Sequence, residues 1–267
     1  MSRLILCADD FAYSPEISQT IVTLAQAGKL NAISCMAAMP GWHADAQLLA
    51  GLPAHVEIGL HLTLTGEVPL TAMPRFAPKG RMPDIDPLTR AAGRWRLPLG
   101  EVVGEIAAQF DAFVGALGRQ PAFVDGHQHV HALPGIRDLV LAETAERAPD
   151  AWIRDCTDRL PAMLARPFAG KAIGSAWHCR GLRAAARARG LRTNASFAGH
   201  YDFAGDYRAL FPKLLLRPGA THLVMCHPGA GMRAGDRIAA ARRVEAEALH
   251  DLPIADMAAA QGLAFPA

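Results

Sequence analysis

Paired cysteines are missing from this 267-residue chain. Its five cysteines, Cys7, Cys35, Cys156, Cys179 and Cys226, are odd in number, stand far apart and form no CxxC. That argues against both a disulfide framework and a thiolate zinc site. Three of them fall in the apolar stretches LILC, AISCMAAM and HLVMC and read as small buried hydrophobes. A strong charge of one sign is also missing: 27 Lys and Arg against 25 Asp and Glu leave +2, too little to call for nucleic acid as an obligate partner. No apolar run approaches the ~18 residues of a membrane helix, and the opening MSRLILCADD shows no charged-then-apolar leader. The expectation is a cytoplasmic protein without a membrane span. The glycines of HPGAGMRAG are not followed by GK[ST], so they read as a tight turn rather than a phosphate loop.

What is present is a core. Half of the residues are hydrophobic (51%) and 19% are charged, a balance that favours a packed domain over disorder. The length suits an α/β fold built as one unit over residues 1–267. Short apolar runs at 4–8, 33–38, 56–62, 122–125, 152–154 and 221–226 predict strands, with a weaker one near Ser196. Several are apolar throughout, as strands covered on both faces are. Helical patterns lie between them. The first has Ser14 as N-cap, Pro15 at the first position and Gly28 as its stop; others span about 99–117, 134–147, 176–189, 236–249 and 253–262. Strand followed by helix, six or seven times over, predicts a parallel sheet, either doubly wound or closed into a barrel. Residues 66–98, rich in Pro, Gly and charge, interrupt this rhythm and read as a long loop or lid insertion.

Polar residues gather where the apolar runs end, which in parallel α/β sheets is where active-site groups collect. Asp9 and Asp10 follow LILCA. Adjacent carboxylates repel, so holding both in one cleft calls for a cation or a shared proton. Neighbouring strand residues point to opposite faces, so the chain must bend for both to share a site. Taken alone, the pair could equally be a cap or a solvated loop. His61 ends HVEIGLHL, where a hydrogen-bonded core histidine is the commoner alternative. In DGHQHVH, three histidines, His127, His129 and His131, follow a strand, and neutral imidazole is the commonest zinc-type ligand. Along an extended chain residues i and i+4 lie about 13 Å apart. One of the three is therefore expected to ligate while the others orient substrate or support the ligands. His227 ends THLVMC, and Arg154 ends AWIR, where a guanidinium can hold a carboxylate. Arg180, Arg183, Arg187 and Arg189 recur at near-helical spacing and read as a solvated face, with an anionic partner as the minority reading.

Four ordered motifs, CADDFAYSPEI, EIGLHLTLTG, DGHQHVHALP and MCHPG, resemble those of the YdjC-like carbohydrate deacetylases, a family that includes chitooligosaccharide and hopanoid-associated deacetylases. The resemblance spans residues 4 to about 250. It implies an irregular (β/α) barrel of the polysaccharide-deacetylase type and one divalent metal ion, zinc or magnesium. In that pattern Asp10, His61 and His127 are the metal ligands, Asp9 is the general base and His227 the general acid. From the residues themselves, Arg154 is expected to keep Asp9 ionised, and His129 and His131 to face the substrate. Trp95, between Arg94 and Arg96, stacks on a sugar ring or is simply an exposed or dimer-contact aromatic. This chain has Ala12 where members often carry Gly. The expected partner is an N-acetylated sugar, with a homo-oligomer open. Two other readings remain: a two-metal barrel hydrolase (amidohydrolase or phosphoesterase), suggested by the HxH at 127–129, and a sugar- or metal-binding module without catalysis.

Overall fold

The computed structural model describes residues 2–266. Nine parallel strands form one sheet: β1 (Ser2–Phe11), β2 (Ala32–Cys35), β3 (Glu57–Leu62), β4 (Phe123–Gly126), β5 (Trp152–Ile153), β6 (Arg192–Thr193), β7 (Ser196–Ala198), β8 (Thr221–Cys226) and β9 (Leu263–Ala264). Their order is β6-β5-β4-β3-β2-β1-β8-β7, with β9 beside the start of β1. The two ends of this path, β6 and β7, are separated in sequence by only Asn194 and Ala195. Three Cα steps span at most about 11 Å, so the sheet must curl until its margins almost meet. Asn194 works at that seam. Its side-chain oxygen accepts from the Asp155 N–H at 2.7 Å, and its amide donates to the carbonyls of Asp155 and Ser196 at 2.8 and 3.0 Å. The result is an α/β barrel-like half-barrel, with a side chain standing in for ladder bonds where closure is incomplete.

Strands and helices follow the apolar pattern. From Leu4 to Phe11 every residue of β1 is buried, as expected of a central strand covered on both faces. Helix α1 (Pro15–Gln26) starts at Ser14, whose hydroxyl accepts the Ile17 N–H, and packs Ile17, Ile21, Leu24 and Ala25 inward. The remaining helices are α2 (Trp42–Ala46), α3 (Ile85–Gly93), α4 (Leu99–Leu117), α5 (Ile136–Arg147), α6 (Leu160–Ala165), α7 (Ala169–His178), α8 (Leu182–Arg187), α9 (Tyr207–Leu214), α10 (Ala239–Asp251) and α11 (Ile254–Ala259). The helix expected over 176–189 is two, α7 and α8, broken at Gly181 with φ +82°, a conformation that stops a helix.

The segment 66–98 is more ordered than its composition suggests. It contains α3, and three acceptors spaced four apart on α4 strap down the chain around it. Glu101 accepts the N–H groups of Arg75 and Phe76, Glu105 those of Leu70 and Thr71, and Gln109 that of Thr63. Residues i and i+4 share a helix face, so one side of α4 serves as a rail. Among the described residues no helix is long and apolar enough to cross a membrane.

Candidate active site

The strand ends open into a cleft of about 720 Å³ lined by Asp9, Asp10, His61, His127, His227 and Arg242, among others. A more open depression of about 910 Å³ at α1, α9 and α10 shares no residue with it. The carboxylates of Asp9 and Asp10 both reach the cleft because β1 bends between them. Its pairing with β2 runs Ala8 to Ile33 and then Phe11 to Cys35, so one extra residue bulges out of β1. Asp10 and Ala12 take the left-handed conformation, φ +65° and +73°, which breaks strand alternation. Asp tolerates this region; Ala12 does so at a cost of roughly 1–2 kcal/mol.

Asp10, His61 and His127 each offer one ligand atom, all within 4.8 Å of one another. Asp10 Oδ1 lies 3.3 Å from His61 Nε2 and 2.8 Å from His127 Nδ1. Ligand atoms around a tetrahedral zinc sit about 3.3 Å apart, given bond lengths near 2.0–2.1 Å, so the set fits a cation of that size. The other ring nitrogen of His61 is committed. His61 and Asp125 are paired across β3 and β4, and Nδ1 meets Asp125 Oδ1 at 2.6 Å, with Ser34 Oγ at 2.9 Å from the nitrogen and 2.5 Å from the same oxygen. A carboxylate on Nδ1 turns the Nε2 side of an imidazole towards a metal. Burial opposes a charge on His61, yet Asp125 and Asp10 outweigh it and push its pKa up to about 10. Without a metal the ring is therefore a cation donating towards Asp10. Burial likewise opposes ionisation of Asp10, but the charges of His127 and Arg242 hold it well below the usual carboxylate range. Arg242 anchors Asp10 Oδ2 at 2.7 Å.

Asp9 sits in a separate arrangement. Arg154, fully buried, forks onto both its oxygens at 2.6 Å and reaches Asp125 Oδ2 at 2.5 Å. Burial pushes Asp9 towards the neutral acid, but the charge and hydrogen bonds of Arg154 win and hold it far down as an anion. Cys7, Asp9 and Asp125 also lie close enough to hold a metal ion. Arg154 already supplies the cation there, with its guanidinium 3.2 Å from Cys7 Sγ, and burial pushes the Cys7 thiol well up. Across the cleft His227 Nε2 stands 3.9 Å from Asp9 Oδ2, and Nδ1 has no partner. Burial lowers the His227 pKa to about 4. Its backbone N–H donates to Glu245 at 2.5 Å, and the other Glu245 oxygen takes the Tyr201 hydroxyl.

The histidine motif is not extended. Gly126 ends β4, where a Cβ would come within 3.0 Å of the His131 backbone nitrogen and closer still to Val130. Gln128 and His129 are left-handed, φ +53° and +59°, inside a 3₁₀ turn from His127 to Ala132. His127 alone of the three reaches the ligand set. His129 lines the cleft, 3.5 Å from Cys156 Sγ and packed edge-on to His200 and Phe197. His131, expected to face substrate, instead points below the cleft floor: it is fully buried, and its Nε2 meets the Arg154 carbonyl at 2.9 Å. Trp95 lies outside the cleft lining and is 73% exposed, in a left-handed conformation just after α3. The walls nearer the 66–98 segment come from Glu67, Arg81, Asp84, Asp86 and Arg90. Glu67 forks onto Arg233 at 2.8 Å, and Arg233 lies 3.9 Å over the Tyr13 ring, which ties the segment to the loop after β8.

Sequence reasoning left Asp125, Arg242, Glu245 and Ser34 without roles. A signal existed for two of them. Arg242 and Glu245 fall in phase with Ala241, Ala248 and Leu249 on the buried stripe of α10, and a charge on a core-facing stripe is paired or functional.

Chitooligosaccharide deacetylase of Escherichia fergusonii is 32% identical over 148 residues, 55% of this chain and 58% of that protein. Its namesake from Yersinia pestis (strain Pestoides F) is 34% identical over 146 residues, 54% and 56% of the two chains. The match thus spans little more than half the length of these curated relatives. Two solved structures share the fold. One, from Enterococcus faecalis V583 and named provisionally for cellobiose-phosphate cleavage, superposes with TM-score 0.75 at 20% identity over 99% of this chain and 96% of its own. The other, an uncharacterized protein of Agrobacterium tumefaciens C58, gives 0.53 at 12% identity over 99% and 87%. Residues 3–260 match the family described as YdjC-like protein, and the chain belongs to that family.

Proposed function

We propose that this chain is a metal-dependent carbohydrate N-deacetylase. It would hydrolyse the acetamide C–N bond of an N-acetylated sugar, such as an N-acetylglucosamine oligosaccharide or glycolipid, and release acetate. The observation that carries the reading is the division of labour between two adjacent carboxylates. Asp10 joins two imidazoles in a cation-sized set, while Asp9, one residue earlier, is kept anionic by a buried arginine and faces the unpartnered imidazole of His227. A binding module has no need of the second arrangement. The names of the deacetylases matched above support the same chemistry.

A divalent cation held by Asp10, His61 and His127, zinc or magnesium, would polarise the acetamide carbonyl and acidify a water. Asp9 takes the proton of the attacking water; Arg154 keeps it anionic at neutral pH. Because the same arginine makes Asp9 a weak base, the proton is passed on rather than kept. His227 starts neutral, with its pKa near 4 in the substrate-free cleft. It gains a proton as negative charge builds on the acetamide oxygen, and delivers it to the sugar nitrogen. An amide anion is too poor a leaving group to depart unprotonated. His129, on the cleft wall, would contact the sugar. A two-metal phosphoesterase mechanism is disfavoured because the second cluster of ligand-type residues is filled by Arg154.

The direct test is acetate release from diacetylchitobiose by metal-loaded protein. Asp9→Asn and His227→Ala should each lose about 10²–10⁴-fold while retaining metal. Wild-type rates in both variants would exclude the scheme.

A further inference from the structure

Residues 159–201 contain eight Lys or Arg and no Asp or Glu. Within that stretch two short helices, packed on each other, leave their apolar side chains uncovered. Leu160 and Leu164 on α6 are 54% and 62% exposed, and Ile173 and Trp177 on α7 are 42% and 65% exposed. Each pair is spaced i,i+4 and so shares a face. α7 buries no residue completely. A helix resting this lightly on the body, with two large apolar groups outward, is unusual for a surface that meets only water.

Most cations of the same stretch are similarly unpartnered. Arg159 and Arg166 are engaged by Asp158, and Arg183 by Asp155. Lys171, Arg180, Arg187 and Arg189 have no carboxylate partner among the described residues; Arg180 lies 4.2 Å over the Trp177 ring. Apolar side chains interspersed along the chain with basic ones, with a tryptophan capped by a guanidinium, match the composition of helices that lie at the boundary between lipid headgroups and acyl chains.

We propose that α6, α7 and their basic flank form a docking surface for an anionic lipid bilayer. A second copy of this chain fits less well: a two-fold interface sets a patch against itself, and a patch without acids would face like charge. Nucleic acid would satisfy the arginines but leave four large apolar side chains unused. Lys171 of α7 also lines the cleft, so docking would hold the cleft mouth beside the membrane. The surface is independent of the reaction proposed above and is tested without substrate.

The full chain should sediment with vesicles of phosphatidylcholine containing about one-third phosphatidylglycerol, much less with phosphatidylcholine alone, and should be released by salt. Ile173→Ser/Trp177→Ser should weaken binding roughly tenfold or more with an unchanged melting temperature, since both side chains are exposed. Arg187→Gln/Arg189→Gln should weaken it separately and flatten its salt dependence. The proposal is overturned if wild-type protein does not sediment with the anionic vesicles at low salt, or if both double variants bind as wild type does. It is equally overturned if RNA competes the protein off the vesicles at stoichiometric amounts, or if sedimentation velocity finds a dimer that Ile173→Ser/Trp177→Ser dissociates.

Discussion

Replacing Arg154 by Met should both destabilise the protein and change how its stability depends on pH. The guanidinium is wholly buried between Asp9 and Asp125. Methionine fills similar space but leaves two carboxylates facing each other without a counter-charge. Removing one partner of a buried ion pair costs about 3–5 kcal/mol. For a chain of this size that is roughly 6–20 °C in melting temperature. The pH signature separates this from simple loss of packing. In wild type the folded Asp9 pKa is depressed, so its stabilising contribution is fully present above the unfolded value of ~3.9 and is lost only as pH falls below it. It therefore adds no slope between pH 5 and 8. Without Arg154, burial, the largest influence on this carboxyl, is opposed chiefly by the charge of His61 and lifts the folded pKa above the unfolded one. The folded state then binds the extra proton, and stability falls as pH rises above ~4, by up to about 1.4 kcal/mol per unit. Thermal unfolding of both proteins at pH 5 and pH 8 should show the variant's deficit growing with pH. The difference between proteins is the quantity to read, because Glu245, pushed up by burial to about 7, gives both a common slope. A variant melting within a degree or two of wild type, or a deficit equal at the two pH values, would refute the account of Arg154 and Asp9.

Three further outcomes follow from the same geometry. Asp125→Asn should weaken metal binding about 10–100-fold by releasing His61 from its fixed orientation, measurable by competition with a chromogenic chelator. Metal uptake at pH 7–8 should expel at least one proton per chain. His61, raised to about 10 when metal-free, must lose its proton to ligate, so affinity should rise with pH, and calorimetry in buffers of different ionisation enthalpy reads the count. Ala12→Gly should raise stability by up to about 1 kcal/mol, since alanine at φ +73° carries a strain glycine avoids.

Much of the fold was legible because the longer strands are largely apolar runs bounded by polar or turn residues: strand Thr221–Cys226 and helix Leu99–Leu117 coincide with their predicted spans. The two-residue strands Arg192–Thr193 and Leu263–Ala264 were not, since two residues carry no periodicity and owe their conformation to neighbours already in place. Helix α3 was masked by the Pro, Gly and charge around it, since only Leu88 and Ala92 of its residues are buried. At the site, residues that end strands were readable as a group. The residues alone did not separate His131 from His127, because the left-handed pair Gln128–His129, which sends one ring into the cleft and the other beneath it, has no glycine to announce it. Arg242 and Glu245 arrive from α10, more than 200 residues after Asp10, and only the tertiary fold brings the first to Asp10 and the second to the His227 backbone.

The central claim is that Asp10, His61 and His127 together grip one cation. Metal content of chelator-stripped protein, reloaded with zinc or cobalt and freed of excess, tests it most directly. The account predicts one ion per chain, reduced to none in the His61→Ala and Asp10→Ala variants and retained in Asp9→Asn. Two ions per chain, or one ion that survives both ligand substitutions, would contradict it.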